Sequence, residues 1–235
     1  MALTAEPHGE ELRSPKGGTR LTARGEGKRE KILGAAAQVL ARTGYAGSTL
    51  AEIAALAGTH AGSLYYYFES REALVEEVLA RGVHSAHAYT ASAVEALPAG
   101  ATSRERLTTA ITAHIEFMLE RSDYALAGVR AIGQVPEDID AAVVEHQRAY
   151  GRFFAELMEA AAADGFIDGG VDLAAARMLV IGSANWTPEW FHPEGSSSAE
   201  EVAALLARMV FEGLGPTGQP RTGTGTTRSA DQAGR

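Results

Sequence analysis

TLAEIAALAGTHAGSLYYYFESR, residues 49–71, holds two short helical patterns separated by a glycine. Thr49 and Glu52 have the spacing of a capping box, which satisfies two orphan amides at a helix start. The helix they open runs to about Ala57, with Ile53 and Leu56 expected inward. Gly58 breaks the chain. A second short helix is predicted over about Ala61 to Tyr67. Ile53, Leu56, Leu64 and Phe68 are then placed to pack where the two helices cross. Two short helices joined by a tight turn form a helix-turn-helix, whose second helix offers its N-terminal end to a DNA major groove.

Outward from this stretch the apolar period is helical almost everywhere. A first helix is predicted over about Lys28 to Arg42, with Gly44 at its C-terminal cap. Ser70 caps a long helix from Arg71 to about Ala96, ended by Pro98 and Gly100. Thr102 and Glu105 form a second capping box, for a helix reaching about Arg121. A short helix follows from Tyr124 to Gly133. Pro136 opens another, reaching about Ala163 and stopped by Gly165. Asp172 caps a helix to about Trp186, ended by Pro188. Ser198 and Glu201 box the last, which reaches about Phe211. The expected architecture is therefore all-α, with about nine helices and no convincing strand. Residues 1–27 and 216–235 lack apolar period and read as a disordered basic arm and a disordered tail.

Composition bounds the function. The 235 residues are 46% hydrophobic but only 7% aromatic, which suits closely packed helices. Cysteine is absent, which excludes disulfides, thiolate metal sites and a thiol nucleophile. No phosphate loop, metal-ligand cluster or catalytic triad is apparent, so an enzyme is not expected, nor a cofactor. No apolar run reaches the length of a membrane span, and a cytoplasmic protein without membrane partners is expected. The net charge of −9 opposes DNA binding if taken whole. Its distribution reverses the point. Arg13, Lys16, Arg20, Arg24, Lys28, Arg29 and Lys31 face only Glu26 and Glu30 in the same stretch. A basic end on an acidic body orients a protein on a phosphate backbone.

The segment resembles the TetR family of bacterial transcriptional regulators. The residues that carry the resemblance are Gly44-Tyr45, Thr49, Glu52-Ile53-Ala54, Ala57-Gly58, Gly62-Ser63-Leu64-Tyr65, Tyr67-Phe68 and Ser70 through Leu74. Thr59, His60 and Ala61 depart from the common pattern. The resemblance implies a DNA-binding unit over 28–74 and a ligand-binding and dimerisation unit over 75–215. It also implies a homodimer that binds a palindromic operator in double-stranded DNA, and a small-molecule effector. By position, Thr49, Tyr65, Tyr67 and Arg71 would hold phosphates. Ala61, Ser63 and Tyr66 would face base edges, and His60 either. Alternatively, the three tyrosines pack the small domain. They cannot all be buried, because three successive residues do not share one helix face.

Further along, His114, Phe117, Met118, Tyr124, Tyr150, Phe153 and Phe154 form an apolar, aromatic set on three helices. Such a set is either plain core or, as the resemblance implies, the lining of an effector cavity. Asn185-Trp186-Thr187-Pro188-Glu189-Trp190-Phe191 reads as a loop between the last two helices. Trp186 and Trp190 in it would close a pocket, cross a dimer interface or anchor the loop. This loop is similar to one in a TetR subgroup that senses acyl- or steroid-CoA thioesters. Arg148, Arg152 and Arg177 are candidates for the phosphates of such a ligand, or else partners of Glu145 and Glu156 in surface ion pairs. His84 and His87 share a helix face, either as a metal pair or as ordinary surface residues. The last two helices carry apolar residues, among them Leu179, Leu205 and Met209, that either pack within one subunit or, as the resemblance implies, form the dimer interface.

Overall fold

A computed structural model describes residues 22–119, 123–131 and 133–214. Among these, nine helices and no strand are found: α1 (Ala23–Gly47), α2 (Leu50–Leu56), α3 (Ala61–Leu64), α4 (Arg71–Glu95), α5 (Ser103–Leu119), α6 (Asp123–Ala131), α7 (Glu137–Ala163), α8 (Leu173–Trp190) and α9 (Ala199–Gly213). The expected arm bases Arg13, Lys16 and Arg20, and the tail 216–235, lie outside the described residues.

The caps read from the sequence are where the helices begin. Thr49 Oγ1 accepts from the Glu52 amide, and Ser70 Oγ accepts from the Ala73 amide. Thr102 and Glu105 bond reciprocally, as do Ser198 and Glu201. Asp172 accepts from the amides of Ala174 and Ala175.

Several features differ from expectation. α3 ends at Leu64, short of Tyr67. α1 begins at Ala23, because Thr22 caps it through the Gly25 amide, so residues 23–27 belong to a helix and not to the arm. Leu56 is 47% exposed. The buried stripe of α2 runs through Ile53, Ala54 and Ala57, whose centre lies about 100° round the helix from Leu56. Asn185–Trp190 is not a loop: α8 continues through Pro188 to Trp190. A proline removes the amide that the carbonyl four residues back would accept. Here that carbonyl is Ala184 O, and the Thr187 hydroxyl donates to it at 2.7 Å. The defect is thus satisfied one residue earlier.

α1–α3 and the first half of α4 form the N-terminal head. Ile32, Leu33, Val39, Leu40, Ile53, Leu64, Phe68, Leu74 and Val78 are its buried centre. The same apolar cluster takes in Ala127 and Ala131 of α6 and Ile139 and Val143 of α7. A second cluster fills the body, from Ala86 and Val94 of α4 through Ile111, Phe154 and Met158 to Phe211. α4 therefore runs from one core into the other.

Small residues set how close α6 sits to its neighbours. A Cβ on Gly82 of α4 would lie 2.5 Å from the Tyr124 carbonyl oxygen. Gly44, at φ +68°, interrupts α1, and a Cβ there would lie 2.8 Å from Gln134 Oε1. That Oε1 accepts the Ala46 amide, while Gln134 Nε2 donates to the Arg130 carbonyl. Gly82→Ala should therefore destabilise the protein by about 1–3 kcal/mol, since the obstacle is backbone rather than a movable side chain. Gly128→Ala, with nothing within 4 Å, should be neutral or stabilising. Thermal denaturation of the two variants checks the contrast.

Candidate functional site

The outer face of the head is built by α2, α3 and the turn after α3. His60 precedes α3 in extended conformation and makes no side-chain cap, which leaves its exposed imidazole outward. Ser63 is exposed and Ala61 half-buried against the head core. Tyr65 and Tyr66 stand out at 52% and 73% exposure. Tyr67 is half-buried, edge-on to Tyr66 with ring centroids 4.9 Å apart. Of the three tyrosines, one packs and two project.

Two cations hold this face in shape from behind. Lys28 Nζ donates to the carbonyls of Ala57 and Gly58 at 3.0 Å, where the C-terminal end of α2 gathers negative potential. The Arg71 guanidinium donates to the Tyr45 and Ser48 carbonyls and lies 4.0 Å over the Tyr45 ring. The family resemblance assigns Arg71 to a phosphate. The structure turns its guanidinium inward, onto the chain that joins α1 to α2.

Behind the head, α4 to α8 enclose a cavity of about 650 Å³. α4 contributes Gly82, Val83 and Ala86; α5 contributes His114 and Met118; α6 contributes Tyr124, Gly128 and Val129. α7 adds Val143, Tyr150, Arg148 and Arg152, and α8 adds Arg177, Ile181 and Asn185. The three α8 residues are four apart and so form one stripe. Gly151 makes room for Arg177, which donates to the Gly151 carbonyl at 2.9 Å. Arg177 Nε is buried and has no hydrogen-bond partner among the described residues. Arg148 and Arg152 are exposed, both near Glu145 at 3.8 and 3.4 Å.

A chain of polar side chains runs from buried Thr90 to the cavity wall. Thr90 and Tyr150 hydroxyls lie 2.7 Å apart. Tyr150 Oη is 2.7 Å from His114 Nδ1, and His114 Nε2 is 3.0 Å from Asn185 Oδ1. Burial disfavours the imidazolium and holds the His114 pKa down at about 4, against a weaker opposing effect of Asn185. Burial likewise pushes the Tyr150 phenol well up.

Residues 32–78 match the model of the bacterial regulatory proteins of the tetR family, and residues 100–214 match that of the tetracyclin repressor-like C-terminal domain. The chain belongs to the TetR family. Among curated TetR-family relatives, the HTH-type transcriptional repressor KstR2 of Rhodococcus jostii is 26% identical over 189 residues, 80% of this chain and 91% of that one. Among solved structures, AibR in complex with isovaleryl coenzyme A and operator DNA superimposes with a TM-score of 0.71 at 23% identity. That match covers 78% of this chain and 98% of AibR. FadR from Bacillus subtilis in complex with stearoyl-CoA gives 0.65 at 20% identity, over 78% and 98%.

In this TetR-family chain the cavity gathers His114, Met118, Tyr124 and Tyr150 of the expected ligand set. It leaves out Phe117, Phe153 and Phe154. Phe154 is wholly buried in the body core, while Phe117 and Phe153 pack at its edge beside Tyr89 and His87. Trp186 and Trp190 also miss the cavity. Asn185 faces inward, and on the continuous α8 the two tryptophans, four apart, share another face. Trp186 borders a separate cleft with Arg42, Arg130 and Glu189. Asn185 was unmarked as a ligand residue because spacing puts it on one stripe with Arg177 and Ile181 but does not say which stripe meets a cavity. No group of three or more His, Cys, Asp or Glu among the described residues is arranged to hold a metal.

His114 gives a pH signature. Its folded pKa lies below the ordinary value of 6.5, so its stabilising contribution is full above pH 6.5 and is lost as pH falls toward 4. Denaturant unfolding at pH 7 and pH 4 should show wild type losing about 3 kcal/mol more than His114→Gln.

Proposed function

We propose that this protein is an effector-released repressor that binds palindromic operator DNA as a homodimer, and that its effector is an acyl or steroid thioester of coenzyme A. The observation that carries the ligand class is the two-part lining of the cavity. Apolar groups of α4 to α8 suit a hydrocarbon body. Arg148, Arg152 and the unpartnered Nε of Arg177 suit phosphates. The CoA ligands of AibR and of the Bacillus subtilis FadR support the same class.

The DNA-reading unit is 28–74. His60, Ser63, Tyr65 and Tyr66 meet the duplex, with Tyr66 at base edges, Tyr65 and Thr49 at phosphates, and Arg71 shaping the loop behind them. The partner unit is 75–215. Its α8 and α9 expose Met178, Leu179, Trp186, Leu205 and Met209, an apolar face suited to a second copy. Release follows from α6. One side of it is packed into the head core through Ala127 and Ala131, and the cavity reaches Gly128 and Val129 between them. An effector that displaces α6 changes the separation of two heads across a dimer. By linkage, operator binding then weakens effector binding by the same factor.

Tyr66→Ala should narrow the affinity gap between operator and random duplex by about tenfold, measured by competition binding, while leaving the salt dependence of random-duplex binding in place. CoA thioesters should release operator, and Arg177→Ala should raise the half-release concentration by at least about tenfold. Release by free acids or cationic drugs, with none by thioesters, would refute the ligand class and leave the repressor reading standing.

A further inference from the structure

The polar chain that reaches the cavity wall ends on an amide with one side unused. Thr90 is fully buried, His114 is 3% exposed and Tyr150 7% exposed. Each proton in such a chain needs an acceptor, because an unmet buried donor is costly. A neutral imidazole has one N–H, so the chain has two possible directions. If Tyr150 donated to Thr90, the Thr90 proton would be left without an acceptor, since among the described residues its hydroxyl meets only Tyr150. In the other direction the protons of Thr90, Tyr150 and His114 each have an acceptor. Thr90 donates to Tyr150, Tyr150 donates to His114 Nδ1, and His114 Nε2–H donates to Asn185 Oδ1.

That direction fixes the Asn185 amide. Its oxygen is held by His114, so its NH₂ is the side left over, and it has no partner among the described residues. Asn185 lies on the cavity wall one turn along α8 from Ile181 and two from Arg177. The cavity thus presents in sequence a cation, an apolar contact and an oriented neutral donor. We infer that Asn185 is the carbonyl reader of the cavity: its Nδ2–H donates to the acyl oxygen of the effector, and His114, Tyr150 and Thr90 are positioning residues that prevent the amide from turning over. A low His114 pKa agrees with this, because an imidazolium would donate at both nitrogens and break the chain at Tyr150. The inference rests on the acyl-thioester reading above.

The test is operator release by a matched pair of probes, a CoA thioester and the CoA thioether of the same chain length, which lacks only the carbonyl. Each half-release concentration is normalised to that variant's own effector-free operator affinity. Wild type should respond to the thioester at a concentration roughly three- to tenfold lower than to the thioether. Asn185→Leu should bring the ratio to about one. Asn185→Asp, which keeps the acceptor for His114 and removes the NH₂, should bring it to one or below. His114→Leu should lower the ratio, whereas His114→Gln should retain it, since glutamine accepts from Tyr150 and donates to Asn185 Oδ1. Equal response of wild type to both probes, or a ratio that survives both Asn185 variants, overturns the carbonyl reader while the thioester reading stands. A wild type released by neither probe overturns both.

Discussion

The close approach of α6 to α4 and α1 is the constraint on which the rest depends. It needs Gly82 where the Tyr124 carbonyl arrives, Gly44 where Gln134 arrives, and alanines at 127 and 131 where α6 enters the head core. None of these residues carries chemistry. Together they let nine residues of helix serve two surfaces at once, a core contact toward the head and a wall toward the cavity. A bulkier α6 would separate the two, and whatever entered the cavity would have nothing rigid to push.

Polar groups in this cavity are arranged around a second economy. α8 is apolar enough to pack, yet its stripe of Arg177, Ile181 and Asn185 delivers charge, bulk and a hydrogen-bond donor at successive turns. Arg177, Ile181 and Asn185 all precede Pro188, so ordinary helical spacing keeps them in register. Thr187 gives Ala184 O the partner that proline withholds, and so lets the helix run on to Trp190.

Much of this was legible in the sequence because helix caps are local. Thr49, Ser70, Thr102, Asp172 and Ser198 each bond an amide two or three residues away, so spacing alone marks the start. The helix-turn-helix was legible for the same reason. Long-range partners were not. Arg71 carries the same charge whether it meets a phosphate or the Tyr45 carbonyl 26 residues away. Phe154 and Tyr150 share one helix face by spacing, and only packing separates the residue in the core from the residue on the cavity wall. Pro188 read as a stop because the hydroxyl that compensates for it was not counted.

The shared apolar cluster has a thermodynamic consequence. Ile32, Leu40 and Leu74 of the head touch the same buried mass as Ala127, Ile139 and Val143 of the body. Freed from that contact, the head would lose one wall of its core and expose alanine and aliphatic surface to water. The shared cluster therefore couples the stability of the head to that of α6 and α7. A cut near residue 75 would pass through α4 and strip Val75, Val78 and Leu79 from the head core.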